Sequence, residues 1–319
     1  MVHWLDRLQQ RSPTAGFVIA VIYKYVDDQA GYLAALLTYY AFISLFPLLL
    51  LLTTVLGVVL AGRPEWREDI YDSALAQFPL IGDQLSEPSR LSGGTAGVVI
   101  GIVVALYGGL NVGQALQNAM ENIWAVPKNL RPDPIRSRLR SLVLLLVLGT
   151  ALVATTALVA FGRFLGPVGA VAVVVAALAL NTGVLVVAFR VTTTRALSVR
   201  DVLPGALAAA VVWQLLQWFG ASYVQHVVAS ASVTNSVFAV VLGLIAFLYL
   251  ISTVLLICAE VNVVRVDRLH PRALLTPFTD DVELTEADRK MYEGQAKAQQ
   301  AKGFQRVEVT FEDNSASRD

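Results

Sequence analysis

Six long apolar stretches constrain this chain more than any other feature of its sequence. They cover residues 32–60, 95–118, 141–162, 168–189, 203–226 and 236–264. Each is close to or longer than the roughly 20 residues that a helix needs to cross about 30 Å of hydrocarbon. The sequence therefore predicts an all-α, polytopic membrane protein with six transmembrane helices.

Composition agrees with this class and excludes several others. Hydrophobic residues make up 56% of the chain and charged residues only 15%, against about a quarter charged in soluble domains. A net charge of zero argues against a broad nucleic-acid surface, so no nucleic acid is expected as a partner. The single cysteine, Cys258, excludes an intramolecular disulfide and a paired zinc–thiolate site within one chain.

Signatures of soluble enzymes are absent from the sequence. The three histidines, His3, His226 and His270, fall in different regions, and no HExxH, CxxC, Walker loop or nucleophile elbow occurs. We therefore expect no catalytic residues, no metal site, no cofactor and no enzymatic activity.

Three segments flank or interrupt the spans. Residues 13–28 predict an interfacial helix with one apolar face, formed by Phe17, Val18, Val21, Ile22 and Tyr25. Residues 62–94 predict an amphipathic helix in an outer loop. The organisation is thus an N-terminal interfacial segment (1–30), a membrane domain (31–265) and a polar, partly disordered cytoplasmic tail (266–319).

The tail contains one predicted soluble helix. Thr285 followed by Asp288 resembles a capping box at its start, and Gly303 suits the position just after its end.

The orientation follows from the lysines and arginines of the short loops. The loop between spans two and three contains Lys128, Arg131, Arg136, Arg138 and Arg140. The loop between spans four and five contains three more arginines, whereas the turn between spans five and six contains no Lys or Arg. The positive-inside rule therefore predicts that both termini are cytoplasmic.

Polar residues inside the spans are the candidate functional residues, because lipid penalises them. With the predicted orientation, most lie in the cytoplasmic halves of their helices, which suggests a polar cavity between helices that opens toward the cytoplasm. The candidate cavity-lining residues are Tyr39, Tyr40, Asn111, Gln114, Asn118, Asn181, Gln214, Gln217, Tyr249 and Glu260.

Each of these residues also has a structural explanation. Asn, Gln and Thr often bond neighbouring helices at roughly 0.6 kcal/mol each, and Tyr39 can be an interfacial anchor. Arg131, Arg136, Arg138 and Arg140 can hold an anionic headgroup or serve topology alone. Glu260 is the best single candidate for an ionisable site.

Four stretches resemble the YihY/BrkB family of bacterial inner-membrane proteins. They are the run from Leu33 through Pro47 in span one, Glu121–Trp124 with the basic loop after it, Leu203–Ala206, and Cys258–Asn262. Thr234, Asn235 and Ser236 depart from the Tyr-Gly pair that many members have before the last span.

The resemblance implies six spans with cytoplasmic termini in a bacterial inner membrane. Members carry labels ranging from serum-resistance or virulence factor to ribonuclease. A ribonuclease is disfavoured here, because RNA hydrolysis would need a metal-binding carboxylate or histidine cluster and none is visible.

The leading hypothesis is a transporter, or a translocator of a lipid or lipid-linked substrate, with membrane lipids as partners. The alternative is a non-transporting scaffold that recruits envelope-assembly proteins, and a membrane-embedded enzyme is the third choice. Substrate identity, energy source and oligomeric state stay open at this point.

Overall fold

A computed structural model describes residues 6, 9, 12–59, 94–162, 166–229, 233–280 and 282–312. These residues form eight α-helices and one short 3-10 turn, and no strand occurs among them. The all-α prediction is confirmed. The predicted outer loop, residues 62–94, lies outside the described residues except for Gly94, as does the end of the tail from residue 313.

The helices follow the predicted spans closely. In chain order they are α1 (Pro13–Asp27), α2 (Ala30–Val59), α3 (Gly94–Ile123), α4 (Pro134–Gly162), α5 (Gly166–Val191), α6 (Val199–Ala229), α7 (Val233–Val266) and α8 (Glu286–Ala298). Each of the six predicted spans coincides with one helix from α2 to α7.

Four helical segments are long and apolar enough to cross a membrane, among the residues that the structure describes. They are Pro134–Leu158, Val171–Val191, Val199–Gln217 and Val241–Val266. Ala30–Leu45 is a shorter apolar helical segment. The chain is therefore a polytopic helical membrane protein, and the number of six crossings stays a prediction.

The six long helices close into a ring. Each packs on its neighbours in the chain, and α2, the first, packs on α7, the last. α3 also touches α7 across the ring, and α1 packs on α7 and α2. The ring thus brings the N-terminal helix against the end of the final long helix.

A close approach of α6 to α7 is specified by Gly205 and Asn262. The backbone N–H of Gly205 donates to Oδ1 of Asn262 (2.8 Å), and Nδ2 of Asn262 donates to the carbonyl of Val202 (3.1 Å). A Cβ at position 205 would overlap the carbonyl oxygen of Cys258. Two of the stretches that carry the family resemblance therefore pack directly on each other.

α1 has the predicted extent, and its predicted apolar face is divided between buried and exposed residues. Its start is capped by Ser12, whose hydroxyl accepts from the N–H of Ala15, and Pro13 occupies the first turn. Val21 is buried, whereas Val18 and Ile22 are 56% and 54% exposed. Lys24, the only lysine of α1, is also buried and points into the protein.

The tail helix α8 begins where the sequence predicts. Thr285 and Asp288 form the capping box, each side chain bonding the other's backbone N–H. The predicted end at Gly303 is wrong, because the helix stops at Ala298. The backbone N–H of Asn129 donates to the carbonyl of Gln300 (3.1 Å). Just beyond the helix end, the chain therefore bonds a distant loop and does not continue as a helix to Gly303.

Candidate functional site

The first and last described helices, α1 and α8, and the two basic loops meet at one end of the helix ring. We call this the terminal end; it comprises α1, residues 124–133, residues 192–198 and residues 267–312. Contacts with residues 267–312 join all four parts: Arg272 pairs with Asp27 of α1, Asp267 pairs with Arg195, and the carbonyl of Gln300 accepts from the N–H of Asn129 (3.1 Å). The candidate site is built at this end.

A buried lysine lies at the centre of the terminal end. Lys24 is 2% exposed and forms an ion pair with Asp28, one helical turn later, whose side chain is also buried. Its Nζ lies 3.5 Å from Oε2 of Glu260 on α7, a residue with no exposed surface. Glu260, the predicted ionisable residue, therefore belongs to a three-residue charged cluster that includes two residues from the N-terminal segment.

The charges of the cluster act on Lys24. Burial by itself lowers the pKa of Lys24, but the negative charges of Asp28 and Glu260 outweigh burial, and the net effect raises the pKa above its usual value. Lys24 is therefore a cation at physiological pH although it is buried.

A second buried cation, Arg272, ties the tail to α1. Its Nε lies 2.6 Å from Oδ1 of Asp288 at the start of α8, and its Nη1 lies 2.5 Å from Oδ2 of Asp27 at the end of α1. The rings of Tyr23 and Tyr292 lie on the guanidinium at 5.8 and 5.6 Å from its carbon. This arrangement holds both ends of the described chain in one cap over the helix ring.

Hydrogen bonds of Glu121 and an ion pair of Arg195 connect the two basic loops to the same cap. Oε1 of Glu121 accepts from the backbone N–H of Thr194 (2.9 Å), and Oε2 accepts from its hydroxyl (3.0 Å). Arg195 pairs with both carboxylate oxygens of Asp267 and lies 4.9 Å from the ring centre of Trp124. The loops are therefore part of the folded cap.

An accessible stripe of amide side chains runs along α3 to Arg131. Asn111, Gln114 and Asn118 are exposed or half-buried. At the terminal end, the guanidinium of Arg131 donates to Oδ1 of Asn118 (3.4 Å) and to Oδ1 of Asn122 (2.7 Å). Two predicted groups, the amides of α3 and the arginines of the first basic loop, thus join at Arg131.

An adjacent side of α3 packs against α4. Gln117 is 3% exposed, and its amide donates to Ser141 Oγ (2.8 Å) and to the carbonyl of Ser137 (2.9 Å) on α4. A Cβ at Gly113 would lie 2.7 Å from Cβ of Ser141, so α3 and α4 touch closely here. Asn111 and Gln114 are half-buried and Asn118 is exposed, so the neighbouring helices leave the stripe partly uncovered.

The remaining candidates do not all converge on one place. Tyr39 is 58% exposed on α2, with its ring 5.2 Å from that of the half-buried Tyr40. Tyr249 is exposed on α7. Asn181, Gln214 and Gln217 are half-buried on α5 and α6. Among the described residues, no hydrogen bond joins these three amides to the stripe on α3.

The other three predicted arginines lie in the first two turns of α4. Arg136 is exposed and pairs with Asp133 (3.3 Å), and Arg138 is exposed. Arg140 is half-buried, and its Nη1 is buried without a hydrogen-bond partner among the described residues.

A surface cleft of about 610 Å³ also opens at the terminal end. Arg190, Arg195 and Leu197 line it, and none of the predicted cavity residues does. Arg190 donates through Nε to the carbonyl of Leu197 (2.9 Å), and Arg195 is paired with Asp267. Among the described residues, no group of three or more His, Cys, Asp or Glu side chains is placed to hold a metal ion.

Comparison with known families decides the classification. The family model described as "Virulence factor BrkB" matches residues 21–280. The chain belongs to the BrkB family. The matched residues include the whole helix ring together with Lys24, Asp28, Glu260 and Arg272.

Curated relatives of this BrkB-family chain are membrane proteins. The inner membrane protein YhjD of Escherichia coli K12 is 27% identical over 123 residues, which cover 36% of this chain and 36% of that protein. A UPF0761 membrane protein of Xanthomonas campestris pv. campestris strain B100 is 27% identical over 231 residues, which cover 68% of this chain and 53% of that protein. The chain thus spans about half, or less, of the length of these relatives. No solved structure matches it.

The sequence of this BrkB-family chain did not predict a role for three residues of the cap, Lys24, Asp28 and Arg272. Lys24 and Asp28 have an i, i+4 spacing that signals a helical ion pair, but nothing local shows that the pair points inward. Arg272 lies in an irregular segment between α7 and α8 and has no pattern around it. Only contacts with Asp27 and Asp288 reveal its role.

Proposed function

We propose that the protein is a bacterial inner-membrane translocator of a lipid or lipid-linked substrate. In this proposal the chain crosses the membrane six times, both termini are cytoplasmic, and the polar path opens to the cytoplasmic side. The protein carries cargo and performs no catalysis, and membrane lipids are its partners. The observation that carries the proposal is the accessible amide stripe on α3, which ends at Arg131.

The stripe needs a polar occupant. A polar side chain facing hydrocarbon loses its hydrogen bonds with water, which costs several kcal/mol in a fully apolar environment. Gln117 avoids that cost by bonding α4, whereas Asn111 and Gln114 stay accessible on a helix with an apolar first half. A lipid headgroup that moves along the stripe, with its acyl chains in the bilayer, would satisfy these amides.

The position of the stripe favours a lipid over a soluble solute. Asn111 and Gln114 are only partly covered by neighbouring helices and Asn118 is exposed, and in this proposal that side of α3 meets the membrane. A path on that side is open laterally to lipids. A solute in water would instead need a path enclosed by the ring.

The terminal end is suited to anionic headgroups. Arg131, Arg136, Arg138 and Arg140 lie beside the end of the stripe, and Arg190 and Arg200 are exposed at the second basic loop. The positive-inside rule assigns this end to the cytoplasm. An anionic lipid would thus meet arginines before it meets the amides of α3.

Cysteine accessibility tests the polar path. Cys258 is buried and is first replaced by alanine. Single cysteines are then placed at Asn111, Gln114 and, as a matched control on the same helix, Gln117. In inside-out membrane vesicles, a water-soluble thiol reagent should label positions 111 and 114 but not 117. Labelling of none of the three, or of all three equally, would sink the proposed path.

A lipid assay tests the function itself. The purified protein is reconstituted into vesicles of phosphatidylethanolamine and phosphatidylglycerol that contain a trace of fluorescent phosphatidylglycerol. A membrane-impermeant reductant then reports how fast the probe moves between leaflets. Wild type should accelerate this movement and Asn111→Leu should not, with both proteins eluting as folded species in detergent. Equal rates in protein-free vesicles and wild type would reject translocation of this probe.

A scaffold for envelope proteins is the second candidate, and the folded cap favours it. Arg272 joins α1 to α8, and the side chains of Glu293 and Lys297 on α8 are exposed. The cap therefore offers a defined surface to a protein partner. A scaffold should retain a stoichiometric cross-linked partner when Asn111 is changed to Leu. A translocator should lose activity with the same change.

A further inference from the structure

The charges around Lys24 do not balance. Asp28 and Glu260 each carry a negative charge when ionised, and Lys24 carries the single positive charge between them. The fully ionised cluster therefore has a net charge of −1 in a place where all three side chains are almost completely buried. Burying an uncompensated charge is costly, and proteins avoid it by pairing the charge or neutralising it.

Glu260 is the more weakly bonded of the two carboxylates, because its one close cation, Lys24, lies 3.5 Å away. Asp28 accepts from Lys24 and also from the amide of Gln295 on α8 (3.0 Å). Among the described residues, neither carboxylate oxygen of Glu260 accepts a hydrogen bond, although the side chain has no exposed surface. A buried carboxyl without donors is better accommodated when it holds a proton.

We propose that the carboxyl groups of Glu260 and Asp28 together bind one exchangeable proton beside Lys24. The proton brings the net charge of the cluster from −1 to zero. It leaves when the site becomes hydrated or when a substrate changes the packing of α1 on α7. If translocation by this protein is correct, as proposed above, this proton is the coupling ion for it.

The chemistry favours a proton over a metal cation. The ammonium of Lys24 lies 3.5 Å from Glu260 and would repel a metal ion placed between the carboxylates. Hard metal ions also need about six oxygen ligands, and the described residues supply no cluster of three or more acidic, His or Cys side chains here. A proton needs only one carboxylate oxygen.

Helices α2 and α3, which pack near the cluster, add no unpaired charge to it. α2 contains no charged residue, and the only charged residue of α3, Glu121, is bonded to Thr194. α1 and α7 add the hydroxyl groups of Tyr25 and Tyr249.

One further ion pair adjoins the cluster. Asp27, next to Asp28 in the chain, forms an ion pair with Arg272. Its negative charge is thus already matched by a cation outside the cluster.

Infrared difference spectroscopy of the reconstituted protein tests the site without any transport assay. Spectra recorded above the pH range in which exposed Asp and Glu side chains titrate, about 4, should show one protonated carboxyl C=O stretching band that appears as the pH falls. Glu260→Gln should abolish this band. Glu293→Gln, which changes an exposed carboxylate on α8, should leave it unchanged. Absence of a titrating band in wild type, or its persistence in Glu260→Gln, would overturn the proposal.

Two more variants should move the titration in opposite directions. Asp28→Asn leaves Glu260 and Lys24 as a balanced pair, so proton uptake should shift to lower pH by about one to three units. Lys24→Met leaves two carboxylates without a cation, so uptake should shift to higher pH by a similar amount. Shifts in the same direction would contradict a shared proton site, and these variants keep the test decisive if Glu260→Gln does not fold.

The lipid assay separates the site from the proposed function. A titrating band in wild type without movement of fluorescent phosphatidylglycerol retains the proton site and rejects translocation of this probe. Movement of the probe at one rate in wild type and Glu260→Gln, and at every pH, retains translocation and rejects proton coupling. Translocation that depends on pH in wild type and not in Glu260→Gln supports both.

Discussion

Arg272 and Asp288 form an ion pair in which neither side chain is exposed, with Nε of the arginine 2.6 Å from Oδ1 of the aspartate. The same arginine reaches Asp27 at the end of α1, so one cation joins the first and last helices of the described chain. Removing one partner of a buried pair leaves the others uncompensated. The cap over the terminal end therefore depends on this residue.

Replacing Arg272 by methionine should release the tail from the helix ring. The change leaves Asp27 and Asp288 without their shared cation, and breaking a buried pair in this way costs about 3–5 kcal/mol. Limited proteolysis should cleave residues 273–312 faster than in wild type, and the melting temperature in detergent should fall. Arg289→Met, which removes an exposed arginine of α8, is the control and should behave like wild type. Equal cleavage of the two variants would contradict the role given to Arg272.

Replacing Gly205 by alanine should disrupt the packing of α6 on α7. The added methyl group would overlap the carbonyl of Cys258 and the amide of Asn262, and overpacking of this kind costs about 1–3 kcal/mol or more. We expect a lower yield of folded protein in size-exclusion chromatography and a lower melting temperature. Gly183→Ala on α5 has open space around the new Cβ and should be neutral or slightly stabilising. The idea fails if both alanine variants melt alike.

Gln117→Leu and Asn111→Leu should separate structural from functional amides on one helix. Gln117→Leu removes two hydrogen bonds to α4 and should destabilise the protein by about 0.6–1.7 kcal/mol. Asn111→Leu should preserve the melting temperature and reduce lipid translocation. The same pattern for both variants, in melting and in translocation, would show that the distinction between the two sides of α3 is not functional.

Alkaline pH should reveal Lys24 as a stabilising cation. Burial alone would lower the pKa of Lys24, but Asp28 and Glu260 raise it overall. A base with a raised pKa in the folded state stabilises the protein fully below its unfolded pKa, about 10.4 for lysine. That stabilisation is lost as the pH rises through the folded pKa.

The corresponding measurement compares melting temperatures of wild type and Lys24→Met over a pH series. Above the pH range in which the carboxyl groups of Glu260 and Asp28 titrate, their difference should be constant, and it should shrink above the usual lysine value, about 10.4. Lys297→Met removes an exposed pair with Glu293 and should change stability by less than about 1 kcal/mol. A difference between wild type and Lys24→Met that still grows as the pH rises through the lysine range would contradict the sign of the pKa shift.

Local patterns in the sequence predicted most of the helices. The extents of α1 and of the six long helices follow from apolar length and from signals such as Ser12 and Pro13. The start of α8 follows from Thr285 and Asp288. Its end could not be predicted, because the contact between Asn129 and Gln300 joins residues that are distant in the chain.

The candidate site was only partly predictable for the same reason. Glu260 and the amides of α3 stand out because lipid penalises polar residues, and this signal needs no partner. The same signal cannot separate Gln117 from Gln114, because both are glutamines of the same predicted span. Only the folded chain shows that Gln117 bonds α4 whereas Gln114 stays accessible. The accessible surface of each decides between them.

The sequence by itself determined that this chain is a helical membrane protein, where its helices lie, and which loops are basic, because apolar length and local capping act between neighbouring residues. Only the tertiary structure decided that Lys24 points inward to Glu260 and that Arg272 joins the two ends of the chain. The reason is that burial of a charge is favourable only when a distant partner compensates it. Such a partner is a property of the folded chain and not of the residues around the charge.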